Sequence, residues 1–278
     1  MTEKTADTKQ IQALKACPLS QDEIYKKYEY LVAKYPNSDS DNEHEPYRTL
    51  SNTWRELGLS AKAVGLLGLL AYWSARNMDY QGYAVARISP LWIAYKLGYA
   101  KSQATRHVDQ IKALLLELHK ADLITIKPDK QTKTQTVKIV NAKDQSKGFA
   151  KLYSPAIQVI LEQSKGMAML YNMAIYVAMR SITFETNQYK VMAKSPTYLA
   201  SMLELGVSTV QNHLKWLRDH NALCWFKMIV NNDYHSVKYV YADPVNVADL
   251  APYVMSQWTL KRKKRTNIWI NKITKVVA

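Results

Sequence analysis

Residues 87–141 read RISPLWIAYKLGYAKSQATRHVDQIKALLLELHKADLITIKPDKQTKTQTVKIVN, and this stretch decides the fold. It predicts two helices joined by a tight turn and followed by a β-hairpin with a polar PDKQTK tip. The helices cover about residues 90–97 and 102–120, and the strands cover about residues 123–127 and 134–140. The order is therefore helix, turn, helix and hairpin.

The longer helix has one apolar face and one polar face. Its apolar stripe, at spacings of four and three residues, consists of Ala104, Val108, Ile111, Leu115 and Leu118. The opposite face carries hydrogen-bonding and cationic side chains: Lys101, Ser102, Gln103, Arg106, His107 and Gln110. This layout is typical of a winged helix, which places its second helix in the DNA major groove. The hairpin, or wing, supplies phosphate-binding cations at Lys127, Lys130, Lys133 and Lys138.

The same pattern occurs a second time in the chain. The segment Ser-Pro-x-x-Ile-Ala-x-x-Leu from Ser89 recurs as Ser-Pro-x-x-Leu-Ala-x-x-Leu from Ser195. An apolar helix predicted over residues 60–77 has its counterpart over residues 166–183. We therefore expect a duplicated domain, mainly α with small β-hairpin wings, in an α+β fold of tandem winged helix-turn-helix domains.

The second repeat has its own candidate recognition helix, which begins at Ser208. Its apolar stripe consists of Val207, Val210, Leu214 and Leu217. The DNA-binding candidates are Ser208, Thr209, Gln211, Asn212 and Lys215, since Gln and Asn can pair bidentately with adenine. His107 and His213 lie on the two recognition helices and are candidates for phosphate contacts. Strands over residues 224–230 and 236–241 form the second wing.

Four domains follow from these elements. They are an N-terminal helical extension with an acidic loop (1–58), a first winged-helix domain (59–145), a second one with a joining helix (146–250), and a basic C-terminal tail (251–278). Helices are predicted over residues 21–34 and 46–57 of the extension and over residues 146–165 as the joining helix. The tail contains the basic run Lys261, Arg262, Lys263, Lys264 and Arg265.

The charge of the chain suits an anionic partner. The net charge is +15 and the pI is about 9.5. The basic excess is concentrated in residues 60–145 and in residues 251–278, where no acidic residue occurs. Nucleic acid and an acidic membrane surface both fit this distribution. After two DNA-binding modules, the basic run is expected to follow a phosphate backbone or a minor groove.

Several classes of function lack support in the sequence. The two cysteines, Cys17 and Cys224, have no CxxC spacing, and the six histidines have no metal-ligand spacing, so no metal or disulfide framework is expected. Neither a Gly-rich phosphate loop nor a nucleophile elbow occurs, so we expect no cofactor and no enzyme activity. The longest apolar run, residues 64–75, is shorter than the roughly 20 residues of a membrane span. With a polar N-terminus, these features predict a cytoplasmic protein without membrane contact.

Residues 59–67, LSAKAVGLL, resemble the opening of the winged-helix domains of plasmid replication initiators and phage replisome organisers of the RepA/DnaD-like kind. The resemblance covers about residues 47–140, and the tandem arrangement is similar to that of plasmid initiators with two winged helices. It implies a protein that initiates DNA replication by binding repeated origin sequences. Its implied partners are double-stranded DNA, a second copy of the chain and host replication proteins. The long second helix and the basic tail depart from the family pattern.

Alternative functions remain open at this point. A winged-helix transcriptional regulator or a partition or centromere-binding protein would use the same fold. A protein-interaction scaffold of the replisome would use it without depending on DNA. Within the DNA-binding hypothesis, the first winged helix is either a reader of DNA or a dimerisation module. The tail is either a DNA-binding arm or a terminal helix that packs on the protein or docks a partner.

Overall fold

The computed structural model describes residues 25–36, 47–74, 85–128, 134–139, 147–183, 189–230, 233–257, 260–262, 269–271 and 273–277. The helices are α1 (Glu29–Lys34), α2 (Ala61–Trp73), α3 (Pro90–Lys96), α4 (Lys101–Ala104), α5 (Val108–Lys120), α6 (Ser154–Gln163), α7 (Gly166–Ile182), α8 (Pro196–Leu203), α9 (Val207–Asp219) and α10 (Leu250–Gln257). Short 3-10 segments cover Lys26–Tyr28, Asn52–Glu56, Thr105–His107 and Pro244–Asp249. The strands are β1 (Tyr47–Ser51), β2 (Val85–Ile88), β3 (Ile124–Pro128), β4 (Gln135–Ile139), β5 (Phe149–Tyr153), β6 (Val191–Met192), β7 (Cys224–Val230), β8 (Asp233–Ala242), β9 (Leu260–Arg262), β10 (Trp269–Asn271) and β11 (Ile273–Val277).

These elements make a mixed α+β fold with small antiparallel sheets, in agreement with the predicted α+β class. The chain divides into two compact units. We call residues 44–186 and 196–222 the central unit, and residues 1–43, 187–195 and 223–278 the terminal unit. The predicted domain boundaries stay a prediction.

Helix α2 is buried on nearly all sides in the centre of the central unit. Its leucines Leu66, Leu67, Leu69 and Leu70 have no exposed surface. This agrees with a sequence that is apolar around the whole helix instead of on one stripe. Ser60 caps the helix by accepting a hydrogen bond from the backbone N–H of Ala63 at 3.3 Å.

Helices α2 and α7 pack closely because α2 has glycines at the contact. A side chain at Gly65 would overlap the carbonyl group of Leu170. A Cβ atom at Gly68 would lie 2.7 Å from Val177 and 2.8 Å from Met173. The two glycines therefore set the distance between the long apolar helices of the two repeats.

Strands β1 and β5 pair antiparallel, with Thr49 opposite Lys151 at the centre. Each strand precedes the long apolar helix of its own repeat, α2 or α7. The corresponding elements of the two repeats thus contact each other, as equivalent surfaces do in a two-fold pair. The predictions of helix over residues 47–51 and 149–153 were wrong, because both segments are these strands.

Helix α3 and the turn after it follow their sequence signals closely. Ser89 accepts a hydrogen bond from Trp92 N at 3.1 Å and Pro90 occupies the first turn of α3. Gly98 ends the helix with φ +83°, a conformation that glycine adopts without strain. Strands β2, β4 and β3 form the adjacent sheet, in that order. The tip of this hairpin, residues 129–133, lies outside the described residues.

The terminal unit is built on a four-stranded sheet of order β11-β7-β8-β6. Its core contains, among others, Tyr28, Phe226, Met228, Val240, Val247 and Leu250. Tyr28 Oη donates to the carbonyl of Trp225 and accepts from its N–H, at 3.1 and 2.8 Å. Burial raises the pKa of the Tyr28 hydroxyl and of the Cys224 thiol above their usual values. The predicted second wing, β7 and β8, is therefore the middle of a sheet with its own core.

Parts of the C-terminal segment are β structure. Strand β11 pairs with β7, and β9 pairs with β10. The alternative of a packed terminal helix is therefore wrong for residues 269–271 and 273–277. In the part of the chain that the structure describes, we find no helix with the length and apolar character that crossing a membrane requires.

Candidate nucleic-acid interface

The polar face predicted for the first recognition helix lies mostly at the surface. Lys101, Ser102 and Gln103 on α4 are exposed, and so is Arg106 in the following 3-10 segment. Gln110, on α5, is half-buried. Ala104 is fully buried and anchors α4 to the core. The cationic and hydrogen-bonding groups thus concentrate before residue 107.

This recognition element is not one continuous helix, as was predicted. The segment Thr105–His107 has 3-10 geometry and separates α4 from α5. The buried residues of α5 are Ile111, Leu114, Leu115 and Leu118, and Ile111, Leu115 and Leu118 were predicted to be core. Val108, predicted as core, is half-buried.

His107 is held by Tyr99, which lies in the turn between α3 and α4. Its ring stacks on Tyr99, with ring centroids 3.8 Å apart and an interplanar angle of 16°. Burial raises the pKa of the Tyr99 hydroxyl, and a hydrogen bond with the backbone of Met167 opposes that shift. Gly166, beside Met167, leaves room for this hydroxyl, because a Cβ atom there would lie 2.9 Å from it. The stack covers one face of the His107 ring.

An exposed acid follows this basic segment on α5. Asp109 accepts from Lys112 Nζ at 2.9 Å, and both side chains are mostly in solvent. Sequence reasoning missed Asp109 as part of the surface, although its spacing to Lys112 indicates a pair on one side of a helix. The start of α5 thus carries an exposed carboxylate beside the cations of α4 and the 3-10 segment.

The first wing is described in part. Lys127 on β3 is exposed, and Lys138 on β4 is half-buried. Val137 and Ile139 of β4 point into the core. Lys130 and Lys133 lie outside the described residues.

Helix α9 of the second repeat exposes one continuous polar stripe. Ser208, Gln211, Asn212 and Lys215 are all exposed, and their spacings of three, one and three residues place them on one face. The opposite face buries Val210, Leu214 and Leu217. Thr209 is half-buried, and Val207, predicted as core, is 38% exposed. The four-residue stripe contains no acid, and we call it the α9 stripe.

His213 belongs to the packing of α9 and is turned away from the α9 stripe. Its Nδ1 lies 2.7 Å from Asn172 Oδ1 on α7, and Asn172 is almost fully buried. Burial lowers the pKa of the imidazole. A neutral ring that donates to the Asn172 amide oxygen satisfies both groups. His213 therefore positions α9 through its Nδ1, and its predicted role as a phosphate contact stays a prediction.

The basic run of the C-terminal segment is described in part. The backbone of Lys261 and Arg262 belongs to β9, opposite Ile270 and Trp269 of β10. Lys263, Lys264 and Arg265 lie outside the described residues. Among the residues with described positions, no group of three His, Cys, Asp or Glu side chains is placed to hold a metal ion.

The chain was compared with models of known protein families, with curated proteins and with solved structures, and none of the three comparisons finds a match.

Proposed function

We propose that this chain is a sequence-specific double-stranded DNA-binding protein with tandem winged helix-turn-helix domains. Within that class, we propose that it is a plasmid or phage replication initiator that binds origin repeats. The observation that carries the proposal is the α9 stripe, on a helix whose other face is fixed in the core. The function requires neither catalysis nor a cofactor.

The chemistry of the α9 stripe fits base reading. Gln211 and Asn212 carry amides that can pair bidentately with N6 and N7 of adenine in the major groove. Lys215, one turn further along, provides a cation for the phosphate backbone. The buried side of α9 holds the stripe in place, because Leu214 and Leu217 pack in the core and His213 bonds to Asn172. A pre-positioned helix loses little conformational entropy when it binds.

The first repeat supplies a more general attraction to DNA. Lys101 and Arg106 are exposed, and Lys127 lies on the wing. Asp109 limits how far α5 can enter a groove, since its carboxylate would face phosphate. We therefore assign base reading mainly to the second repeat and backbone contact to the first. The alternative role of the first repeat is dimerisation.

The duplication supports the tandem arrangement. Strands β1 and β5 pair with each other, and helices α2 and α7 pack through Gly65 and Gly68. The LSAKAVGLL segment lies at this contact, where Ser60 caps α2 and Gly65 meets Leu170. The similarity to replication initiators thus rests on residues that have a packing role. A transcriptional regulator or a partition protein with the same fold is the alternative, and a replisome scaffold is a further one.

Duplex selection followed by variant binding tests the proposal. We expect the full chain to select a preferred duplex sequence from a random pool. Gln211→Ala and Asn212→Ala should each weaken binding to that duplex by about 1 to 3 kcal/mol and relax one base preference. Gln163→Ala, an exposed amide at the end of α6, is the matched control and should have no effect. Selection of no sequence by the folded chain would overturn the proposal and favour the scaffold.

A further inference from the structure

A cleft of about 380 Å³ opens in the central unit, between the 3-10 segment Asn52–Glu56 and helix α8. Its walls include Asn52, Arg55, Glu56, Lys147, Tyr198 and Met202. These residues come from three separate parts of the chain. The volume lies in the range of small-molecule sites.

The cleft carries charges of both signs. Lys147 Nζ lies 3.1 Å from Glu56 Oε1, in a pair with more than half of each side chain exposed. The Arg55 guanidinium donates to Tyr198 Oη at 3.3 Å. Exposed pairs of this kind contribute little to stability, so a ligand can share or replace these contacts at small cost. Two cations and one carboxylate therefore surround the opening.

Asn52 adds a buried amide to the wall of the cleft. Its side chain is 6% exposed, and Nδ2 donates to the carbonyl of Ser181 at 3.2 Å. The backbone N–H of Asn52 donates to the carbonyl of Gly148 at 3.1 Å. Oδ1 has no hydrogen-bond donor among the residues that the structure describes. The two bonds to Ser181 and Gly148 hold Asn52 in place, so it forms a fixed part of the inner wall.

We propose that this cleft binds a small zwitterion, an α-amino acid. Its carboxylate lies between Arg55 and Lys147, and its ammonium group donates to Glu56. Its side chain packs on Tyr198 and Met202. A simple anion would leave Glu56 without a ligand partner, and a simple cation would leave Arg55 and Lys147 without one. A molecule with both charges matches the wall.

The cleft is lined by residues of α8, so a bound ligand can act on α8 and on α9, which follows it. Tyr198 and Met202 belong to α8, which leads into the helix that bears the α9 stripe. Binding of the amino acid would hold α8 against the 3-10 segment and change the affinity for DNA. This second step rests on the proposed function, whereas binding of the amino acid does not.

Calorimetric titration of the full chain without DNA tests the site. Each of the twenty L-amino acids is titrated singly, and we expect at least one to bind with one site per chain. Arg55→Met should weaken that binding by about 10- to 100-fold, the worth of a charge-assisted hydrogen bond. Glu56→Gln should also weaken binding, because the ligand's ammonium group loses the charged carboxylate to which it donates. Lys112→Met, an exposed cation of another ion pair in the same unit, is the matched control and should change nothing.

Analogues that lack one of the two charges of the bound amino acid test the contribution of each charge. Its carboxamide and its N-acetyl form should both bind at least tenfold more weakly than the parent. The proposal is overturned if no amino acid binds, if Arg55→Met leaves binding unchanged while the protein stays folded, or if acetate binds as well as the amino acid. These titrations contain no DNA, so their failure is distinct from failure of the DNA-binding proposal.

Discussion

At Gly65, helix propensity and packing act in opposite directions. Propensity alone predicts that Gly65→Ala stabilises helix α2 by up to about 1 kcal/mol. The structure predicts the reverse, because the new methyl group would overlap the carbonyl group of Leu170. Overpacking of this kind costs about 1 to 3 kcal/mol. We expect urea denaturation to show a loss of stability of that size.

Gly206→Ala is the control for this substitution. Its Cβ atom would meet only Thr209 Oγ1 at 3.7 Å and Ser208 Oγ at 3.9 Å, which are ordinary contacts. The change should cost at most about 1 kcal/mol, as for other surface helix caps. If Gly65→Ala stabilised the protein, the close packing of α2 and α7 would be refuted.

His213 gives a residue-scale prediction for pH. Burial lowers its pKa in the folded protein below the value of about 6.5 for an unfolded chain. The unfolded state therefore takes up the proton first as the pH falls, and this group favours unfolding progressively below about pH 6.5. We expect the free energy of unfolding to fall less between pH 7.5 and 5.5 in His213→Gln than in the wild type. Equal pH dependence of the two proteins would contradict the buried, neutral histidine.

At the scale of elements, the helices were largely predictable and some strands were not. Ser89, Pro90 and Gly98 are local signals that place α3 and its end within one residue of the prediction. Strands β1 and β5 have no such signal, because each is stabilised by a partner about 100 residues away in the chain. Both segments are short, and both were predicted as parts of helices.

The candidate site shows the same division between local and non-local effects. The exposed residues of the α9 stripe followed from helical spacing alone. The 3-10 segment Thr105–His107 did not, since the stacking of His107 on Tyr99 depends on how the turn packs. The cleft beside α8 also escaped sequence reasoning, because its walls come from three distant segments.

Asp109 on α5 provides a test of whether the first recognition element contacts DNA. Asp109→Asn removes a negative charge from an exposed position next to Arg106 and Gln110. If the first repeat contacts the DNA backbone, affinity for any duplex should rise several-fold at low salt, because phosphate repulsion is removed. Glu162→Gln, an exposed acid on α6, is the control and should have a smaller effect. Unchanged affinity in Asp109→Asn would assign the first repeat to dimerisation or partner contact.

At the scale of the whole molecule, the net positive charge predicts that salt weakens the affinity for DNA. A chain of charge +15 that neutralises six to ten phosphates should lose about 10³- to 10⁵-fold in affinity between 50 and 200 mM salt. Fluorescence anisotropy with a labelled duplex measures this slope. A folded chain whose affinity is flat over this range would not be a nucleic-acid-binding protein.

The C-terminal segment contains both strands and a basic run, and the contributions of its structure and its charge can be tested separately. Deletion of residues 261–278 would remove β11 and uncover the edge of β7, so loss of structure would be mixed with loss of charge. Replacement of the basic run by glutamine keeps the length of the chain and removes the charge alone. The five substitutions are Lys261→Gln, Arg262→Gln, Lys263→Gln, Lys264→Gln and Arg265→Gln.

We expect this variant to bind specific and random duplexes more weakly by a similar factor, because a cation near the backbone carries no base information. The slope of log affinity against log salt should become shallower by up to about 0.9 for each phosphate that the variant no longer neutralises. Lys34→Gln with Lys165→Gln, at exposed positions outside this segment, is the control for general loss of charge. A lower melting temperature with an unchanged salt slope would assign the run to the stability of the β9–β10 hairpin, and the DNA-binding arm would then be ruled out.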